Sequence, residues 1–230
     1  MKHLFGKKVV IALGGSIVYP AEIDVRYLKQ FKKFAEREIR RGRKLVIVIG
    51  GGRLARIFQS AAHEVSPLTD EDKDWIGIHA TRLNAHLLRT IFRRVADPVV
   101  FDHRGKFKKL DYPVTIASGW RPGWSTDFVA AAIAHDFDIP EFIVAGKPAF
   151  VYQKDPSIYK DAKPFKTIGW KEYRKLIPSK WIPGSHAPVD PVAAKLSDAS
   201  RIKAIIINGK DLKNFESLLK GKEFKGTIVG

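Results

Sequence analysis

Between Ser118 and Asp127 the chain reads Ser-Gly-Trp-Arg-Pro-Gly-Trp-Ser-Thr-Asp, residue types suited to holding an anion. A β-branched run from Pro113 to Ala117 precedes this stretch, and an alanine-rich segment with helical spacing, Phe128 to Ala134, follows it. A glycine-rich turn feeding a helix start leaves backbone N–H groups unpaired beside the positive end of the helix dipole, and such an arrangement takes phosphate. Ser125 or Thr126 supplies the N-cap, and Arg121 adds a forked donor matched to phosphate oxygens. The stretch lacks the Lys-Ser/Thr ending of a P-loop. Taken alone, it is also compatible with a plain strand-to-helix loop.

Composition bounds what surrounds it. At 230 residues and 25.9 kDa the chain can bury a full core, as one large α/β domain or two small ones. A mean hydropathy of −0.16, with no long apolar run, indicates a soluble globular protein. The start, from Met1-Lys2-His3 into a short strand-like run, reads as neither signal peptide nor membrane span. With Cys 0 there is no disulfide, thiolate metal site or cysteine nucleophile, so a cytoplasmic setting is expected. The 41 Lys plus Arg against 24 Asp plus Glu give a net charge of +17, a field that attracts polyanions of any kind. Nucleic acid is a candidate partner, although no helix-turn-helix, zinc-finger or RNP-type pattern accompanies the charge. Nucleotide focusing and a merely solvated basic surface are the other readings. The local cluster is His103, Arg104, Lys106, Lys108 and Lys109.

The elements that must position such a turn follow from periodicity. Lys8 to Leu13 predicts a strand ending in the small-residue turn Gly14-Gly15-Ser16. From Asp24 to Arg41, Val25, Leu28, Phe31, Phe34, Ala35 and Ile39 recur at helical spacing, and Gly42 stops the helix, whose apolar stripe is rich enough to pack on a symmetry mate in a homo-oligomer. Lys44 to Ile49 predicts a second strand, running into Gly50-Gly51-Gly52 and a helix that Ser66-Pro67-Leu68 breaks. Thr69-Asp70-Glu71-Asp72 offers a capping box for a long helix to about Arg94, and Asp97 to Phe101 reads as a short strand. Beyond the central stretch come a strand at Ile139 to Ala145 and a long Pro- and Lys-rich loop, Gly146 to Lys166, with room for a hairpin at Phe150 to Tyr152. A short helix from Trp170 to Leu176, a Pro/Gly/Ser loop to Pro188 and a helix from Val189 to Asp198 follow. A strand at Ala204 to Ile207, a helix from Asp211 to Leu219 and a strand near Thr227 complete the pattern. The alternation predicts a mainly parallel sheet with helices on both faces, with the glycine turns at the carboxyl edge where such sheets bind ligands.

With these pieces in order, the sequence resembles the amino-acid kinase superfamily, and within it the archaeal-type uridylate kinases. The resemblance spans nearly the whole chain and rests on Leu13-Gly14-Gly15-Ser16, Gly50-Gly51-Gly52-Arg53-Leu54-Ala55-Arg56, Asp74-Trp75-Ile76-Gly77-Ile78 and Thr81-Arg82-Leu83-Asn84-Ala85. It continues through Pro122-Gly123, Thr126-Asp127, Val151-Tyr152, Asp155-Pro156, Val189-Asp190-Pro191, Ala193-Ala194-Lys195 and Gly226-Thr227. It implies one three-layer α/β/α domain over residues 1–230, with an acceptor part to about 137 and an ATP part from about 138. The implied activity is ATP- and Mg²⁺-dependent conversion of UMP to UDP, usually in a homohexamer. Carried over by position, Gly14, Gly15, Ser16, Gly52 and Arg56 would meet the ATP phosphates, while Lys147, Tyr152 and Asp155 would lie on the ATP side. Gly51, Asp74, Trp120, Arg121, Pro122, Gly123, Trp124, Ser125 and Thr126 would hold UMP. Asp127, Arg121 and Lys195 would act on the transferring phosphoryl group. No residue set reads as a protein metal site; His79 and His86 suit packing or exposure on a helix.

Departures gather at the site. Where the family commonly has Thr-His-Pro-Gly-His-Thr-Thr-Asp, this chain has Trp120-Arg121-Pro122-Gly123-Trp124-Ser125-Thr126-Asp127, and Gly146-Lys147-Pro148-Ala149-Phe150 replaces Thr-Asn-Val-Asp-Gly. Ala12 stands where some members carry lysine, and Lys8 lies about 13 Å back along the strand. By residue type alone, Asp74 and Asp127 also suit simple helix-start carboxylates, Arg53, Arg56, Lys147 and Lys195 suit surface charges, and Trp120 and Trp124 suit packing on a neighbouring subunit. A non-catalytic binding or storage protein for nucleotides or other polyanions on the same fold is the alternative reading.

Overall fold

The computed structural model describes residues 2–181 and 187–230. Its strands are β1 (Lys8–Leu13), β2 (Lys44–Ile49), β3 (Val114–Ala117), β4 (Glu141–Gly146), β5 (Thr167–Ile168), β6 (Lys203–Asn208) and β7 (Thr227–Val229). They form one sheet in the order β3-β2-β1-β4-β6-β7-β5, parallel except where β6 meets β7. Its helices are α1 (Gly15–Val18), α2 (Val25–Arg40), α3 (Gly52–Val65), α4 (Asp70–Ile91), α5 (Thr126–Asp136), α6 (Trp170–Tyr173), α7 (Pro191–Ala199) and α8 (Leu212–Leu219).

The Val/Ile runs of β1 and β2 are buried on both faces, as a parallel sheet between helical layers requires. One face packs under α2, α8 and the end of α4, with Phe31, Phe34, Phe92 and Phe215 in its core. The other is covered by α5, α7 and α6, with Trp120, Trp170 and Tyr173 among the buried side chains. In α2 the apolar stripe lies against the chain's own sheet and against α8, where the Phe34 and Phe215 rings sit 4.9 Å apart. That stripe is therefore unavailable to a symmetry mate, which removes the physical basis for expecting α2 to build an oligomer. α5 differs in kind: Phe128 through Ala134 are all buried, so this helix is enclosed rather than amphipathic.

Two local expectations hold in detail: Thr69 and Asp72 form a reciprocal capping box on α4, and Ser125 caps α5. Asp24 and Asp211 likewise cap α2 and α8. Other expectations fail for identifiable reasons. The run from Asp97 to Phe101 is not a strand: only Ala96 and Phe101 bridge to β3, because Pro98 offers no N–H and the Asp97 side chain turns back to accept from Val99 N at 2.9 Å. The hairpin near Phe150 reduces to one bridge, Tyr152 with Pro164. The turn after β1 winds into the single-turn helix α1, and the two-residue β5 is too short to show a period. The Pro/Gly/Ser loop between Leu176 and Pro188 lies partly outside the described residues. Among the described residues no helix is long and apolar enough to cross a membrane.

Candidate active site

Two glycine turns interlock at the carboxyl edge of the sheet. Gly14 N donates to Ala145 O at 3.0 Å and Gly50 N to Leu13 O at 3.0 Å, so each turn extends the ladder of its strand. A Cβ on Gly15 would come closer than 3.0 Å to Gly50 O and Gly52 N, and Gly52 has φ +64 with its own Cβ position closed by Gly15. Backbone touches backbone here, which only glycine allows. Asn84, buried on α4, donates to Gly50 O at 2.9 Å and Gly51 O at 3.1 Å and pins the second turn. At the start of α3, Arg53 N donates to Tyr19 O at 3.3 Å, while the N–H groups of Gly51 and Gly52 engage no acceptor among the described residues, the arrangement expected to face phosphate.

The third turn is assembled by side chains. Gly119 N donates to Thr81 Oγ1 at 2.8 Å, and Trp120 Nε1 donates to Phe101 O at 3.2 Å. Trp120 is 5% exposed and packs on Phe101 and Trp124. Its side chain is thus a core residue, so what Trp120 can offer a ligand is its main chain. It also sits in the chain's own core, not against a neighbour. Arg121 is exposed and lies over the Trp124 ring, 4.1 Å from its centroid. The loop turns at Gly123, φ +80, whose N–H donates to Asp74 Oδ2 at 2.7 Å. The same oxygen accepts from Trp181 Nε1 at 3.2 Å, so a residue from beyond α6 reaches across to the start of α4.

Behind this loop the N-termini of α5 and α7 converge. The Ser125 hydroxyl caps Phe128 N at 2.9 Å and donates to Asp190, which caps α7 through Val192 N and Ala193 N at 2.8 and 3.1 Å. Burial pushes the Asp190 carboxyl up from its ordinary pKa. Asp127, in the first turn of α5, is pushed well above the usual carboxylate range, first by desolvation and then by the neighbouring Asp190 charge. The Asp127 carboxylate engages no hydrogen-bond donor among the described residues. Asp127 is half-buried and faces the cleft with the buried Asp190 behind it, and two neighbouring carboxyls so placed suit a cation.

A cleft of about 1120 Å³ opens along this edge. Of the expected residues, Gly14, Gly15, Ser16, Arg56, Thr126, Asp127, Lys147, Tyr152 and Asp155 line it. Gly51 and Gly52 lie beside it in the second turn, and α4 passes over Gly51, whose Cβ position is 3.3 Å from Gly77 O. Asp74 and Gly123 form a separate pair under Trp181, and Pro122 lies in the same loop. Lys195 is exposed on α7 and is not brought into the cleft. In the loop after β4 neither Ala149 nor Phe150 takes a positive φ, and Phe150 lines the cleft edge-on to Tyr152 at 6.1 Å. Thr227 holds the loop, accepting from Val151 N at 3.0 Å and donating to Phe165 O at 2.6 Å. Asp155 is drawn into its own turn by the Ser157 N–H and hydroxyl, which lower its pKa. The basic cluster is partly neutralised: Arg104 pairs with Asp136, and Lys106 and His103 with Asp102. Among the described residues no three His, Asp or Glu side chains gather as a metal site.

Residue-type reasoning missed Trp181, Asp190 as a partner of Ser125, and the Asn84 and Thr81 pins. For Asp190 a signal existed: Asp-Pro at a helix start is a cap followed by proline at N1. The others are contacts between residues 33 to 107 positions apart, invisible to local pattern.

Comparison with known proteins gives a consistent result. The model of the amino acid kinase family matches residues 7–208. The chain is 33% identical to a uridylate kinase of Thermococcus sibiricus, over 96% of this chain and 99% of that one, and 33% identical to one of Methanococcus aeolicus at the same coverage. Its structure superposes on the crystal structure of a uridylate kinase from Archaeoglobus fulgidus with a TM-score of 0.82, at 30% identity and with 100% of both chains covered. A UMP kinase from Bacillus anthracis, at 20% identity and a TM-score of 0.78, shares the fold.

Proposed function

The chain belongs to the amino acid kinase family, and on that premise we propose that it transfers the γ-phosphoryl group of ATP to UMP, giving UDP. The observation that carries this reading is the placement of Asp127, at the start of the enclosed helix α5. It lies between a cleft edged by interlocked glycine turns and an acceptor loop carrying Arg121 and the Asp74–Gly123 pair.

The chemistry asks little of a general base. A nucleoside monophosphate is already anionic at neutral pH, its second pKa being about 6. The barrier lies in bringing two polyanions together, and oriented N–H groups with cations lower it. On the ATP side, N–H groups at the start of α3, Arg56 and Lys147 are the donors at hand; on the acceptor side Arg121 is. Mg²⁺ bound with ATP would supply charge neutralisation on the phosphates. Asp127 is the protein group that fits it, a carboxylate without a hydrogen-bond donor beside a second carboxyl. Asp74 can still offer its second oxygen, Oδ1, to a ribose hydroxyl while Oδ2 holds Gly123 and Trp181. In this scheme the acceptor half runs to about 137 and the ATP half from about 138. Lys195, exposed on α7, has no part in the step.

A homo-oligomer remains part of the proposal, now resting on the exposed apolar side chains Phe58 and Val65 of α3 and Leu83 of α4. Light scattering at micromolar concentration tests it; a monomer there removes it. The activity is tested by phosphoryl transfer from ATP with Mg²⁺ to UMP, CMP, AMP and GMP, with UMP expected fastest. Preference for another monophosphate keeps the class and overturns the substrate. Binding of UMP with no turnover of any would return the chain to a storage role.

A further inference from the structure

We propose that the outward face of α2 binds the phosphate backbone of double-stranded nucleic acid. Arg26, Lys29, Lys33 and Arg40 are exposed along this helix and have no ion-pair partner among the described residues. Their steps of three, four and seven residues put them on one line down the helix, with Arg37 between the last two. From Arg26 to Arg40 that line runs about 21 Å, roughly two-thirds of a duplex turn.

The free charge on this line is a consequence of where the acids went. Glu38 is buried and paired with Arg41 and Arg43, Glu216 of α8 takes Arg37 and Arg41, and Glu36 takes Lys32. Glu38 and Glu216 sit to one flank, toward α8, while Glu36, three residues after Lys33 and four before Arg40, lies beside the outward line and is neutralised there by Lys32, so the row keeps four free positive charges. The flanking elements add charge of the same sign, with Lys213 exposed on α8 and Arg93 and Arg94 exposed just after α4. By contrast, the His103–Lys109 cluster, denser in sequence, is partly cancelled by Asp102 and Asp136.

The face also says what kind of polyanion it suits. Single strands are held by stacking bases on exposed aromatic rings, and here Tyr27, Phe31 and Phe34 are all buried. An anionic membrane would be gripped by apolar side chains inserted from the same face, and along α2 only Val25, at its first turn, is exposed and large. What remains is a row of long cationic side chains at fixed spacing, which contacts phosphates and reads no sequence. None of these side chains lines the cleft, so occupation of this face leaves the kinase site open.

The test is fluorescence anisotropy of the full chain with a labelled 20-base-pair duplex of mixed sequence, titrated at several salt concentrations. It compares wild type with a variant carrying Arg26→Gln, Lys29→Gln, Lys33→Gln and Arg40→Gln. A charge-matched control carries Lys108→Gln, Lys109→Gln, Lys171→Gln and Lys175→Gln, all exposed positions away from α2. The expected result is duplex binding by wild type and control. The α2 variant should bind on the order of 100-fold more weakly at low salt, and its log–log salt slope should be shallower by about three to four. Circular dichroism and phosphoryl-transfer rate should be unchanged in all three. A smaller variant, Lys29→Glu with Lys33→Glu, should give the same direction of effect and serves if the fourfold change disturbs folding. Equal losses in variant and control would mean diffuse attraction by net charge and would overturn the proposal. So would absence of duplex binding by wild type at low salt, or α2-dependent binding to anionic lipid vesicles in its place.

Discussion

The paired glycine turns and the loop from Ser118 to Asp127 lie at the same sheet edge, yet they are made in opposite ways. In the first, two stretches of main chain press together so closely that no side chain fits, and the geometry belongs to the backbone. In the second, a hydroxyl and a carboxylate reaching in from α4, together with two indoles and a guanidinium of the loop itself, hold it in shape. The backbone-made part has almost no freedom to vary. The side-chain-made part can be rebuilt residue by residue while the fold stands, and it is there that Arg121 and Trp124 stand where the resembling family carries histidines.

The sharpest test of this contrast is a single methyl group. Gly15→Ala should cost about 3 kcal/mol of stability or more and abolish activity, because the clash is with main-chain atoms that cannot step aside. Gly123→Ala meets open space and should cost only the strain of a positive φ, about 1 to 2 kcal/mol. Urea unfolding midpoints measure both, and similar costs would erase the distinction.

Asp127→Asn should lower turnover on the order of 100-fold while raising stability at neutral pH. A carboxyl whose folded pKa is raised holds its proton more tightly in the folded chain. Its contribution is complete below the unfolded value, about 3.9, and is lost as pH rises through the folded value. The asparagine variant should therefore unfold later than wild type at pH 7, and the gap should close toward pH 4. A variant less stable at pH 7 would mean that the charged carboxylate is already well compensated.

Arg121→Ala should raise the acceptor KM by about 10- to 150-fold, the equivalent of roughly 1.5 to 3 kcal/mol for a charge-assisted contact. Stability should barely move, since the side chain is exposed on Trp124. Constants within about twofold of wild type would make it a surface charge. The smallest effect belongs to the ATP-side loop. Ala149→Asp with Phe150→Gly should lower the ATP KM by about threefold, near 0.6 kcal/mol, and leave the UMP KM unchanged. A rise would instead make Phe150, edge-on to Tyr152, a wall of the ATP site.

What could be read from the chain alone divides along the same line. The glycine turns, the caps of α4 and α5 and the chain positions of β1, β2, β4 and β6 depend on local φ, local hydrogen bonds and side-chain period, so they were legible from the sequence. Trp120 was not, because an aromatic residue in a binding loop and one in a core look alike until Phe101, nineteen positions away, is seen accepting its N–H. The α2 stripe was read correctly as apolar but assigned to the wrong partner, since periodicity tells that a face is covered and not by what. The net charge at His103 to Lys109 was hidden for the same reason: Asp136 neutralises Arg104 from 32 positions away.

The enclosure of α5 has a consequence for how this protein can change over time. An ordinary surface helix tolerates substitution on one side, so intolerance along it rises and falls every three or four residues. From Phe128 to Ala134 every position is walled in, and the alanines at 130, 131, 132 and 134 leave no room for even one further carbon without overpacking. A saturation library of this chain should show an unbroken block of intolerance at α5, flanked by the periodic pattern in α2. Drift in the lineage is channelled away from the helix that carries Asp127 and toward the loop in front of it.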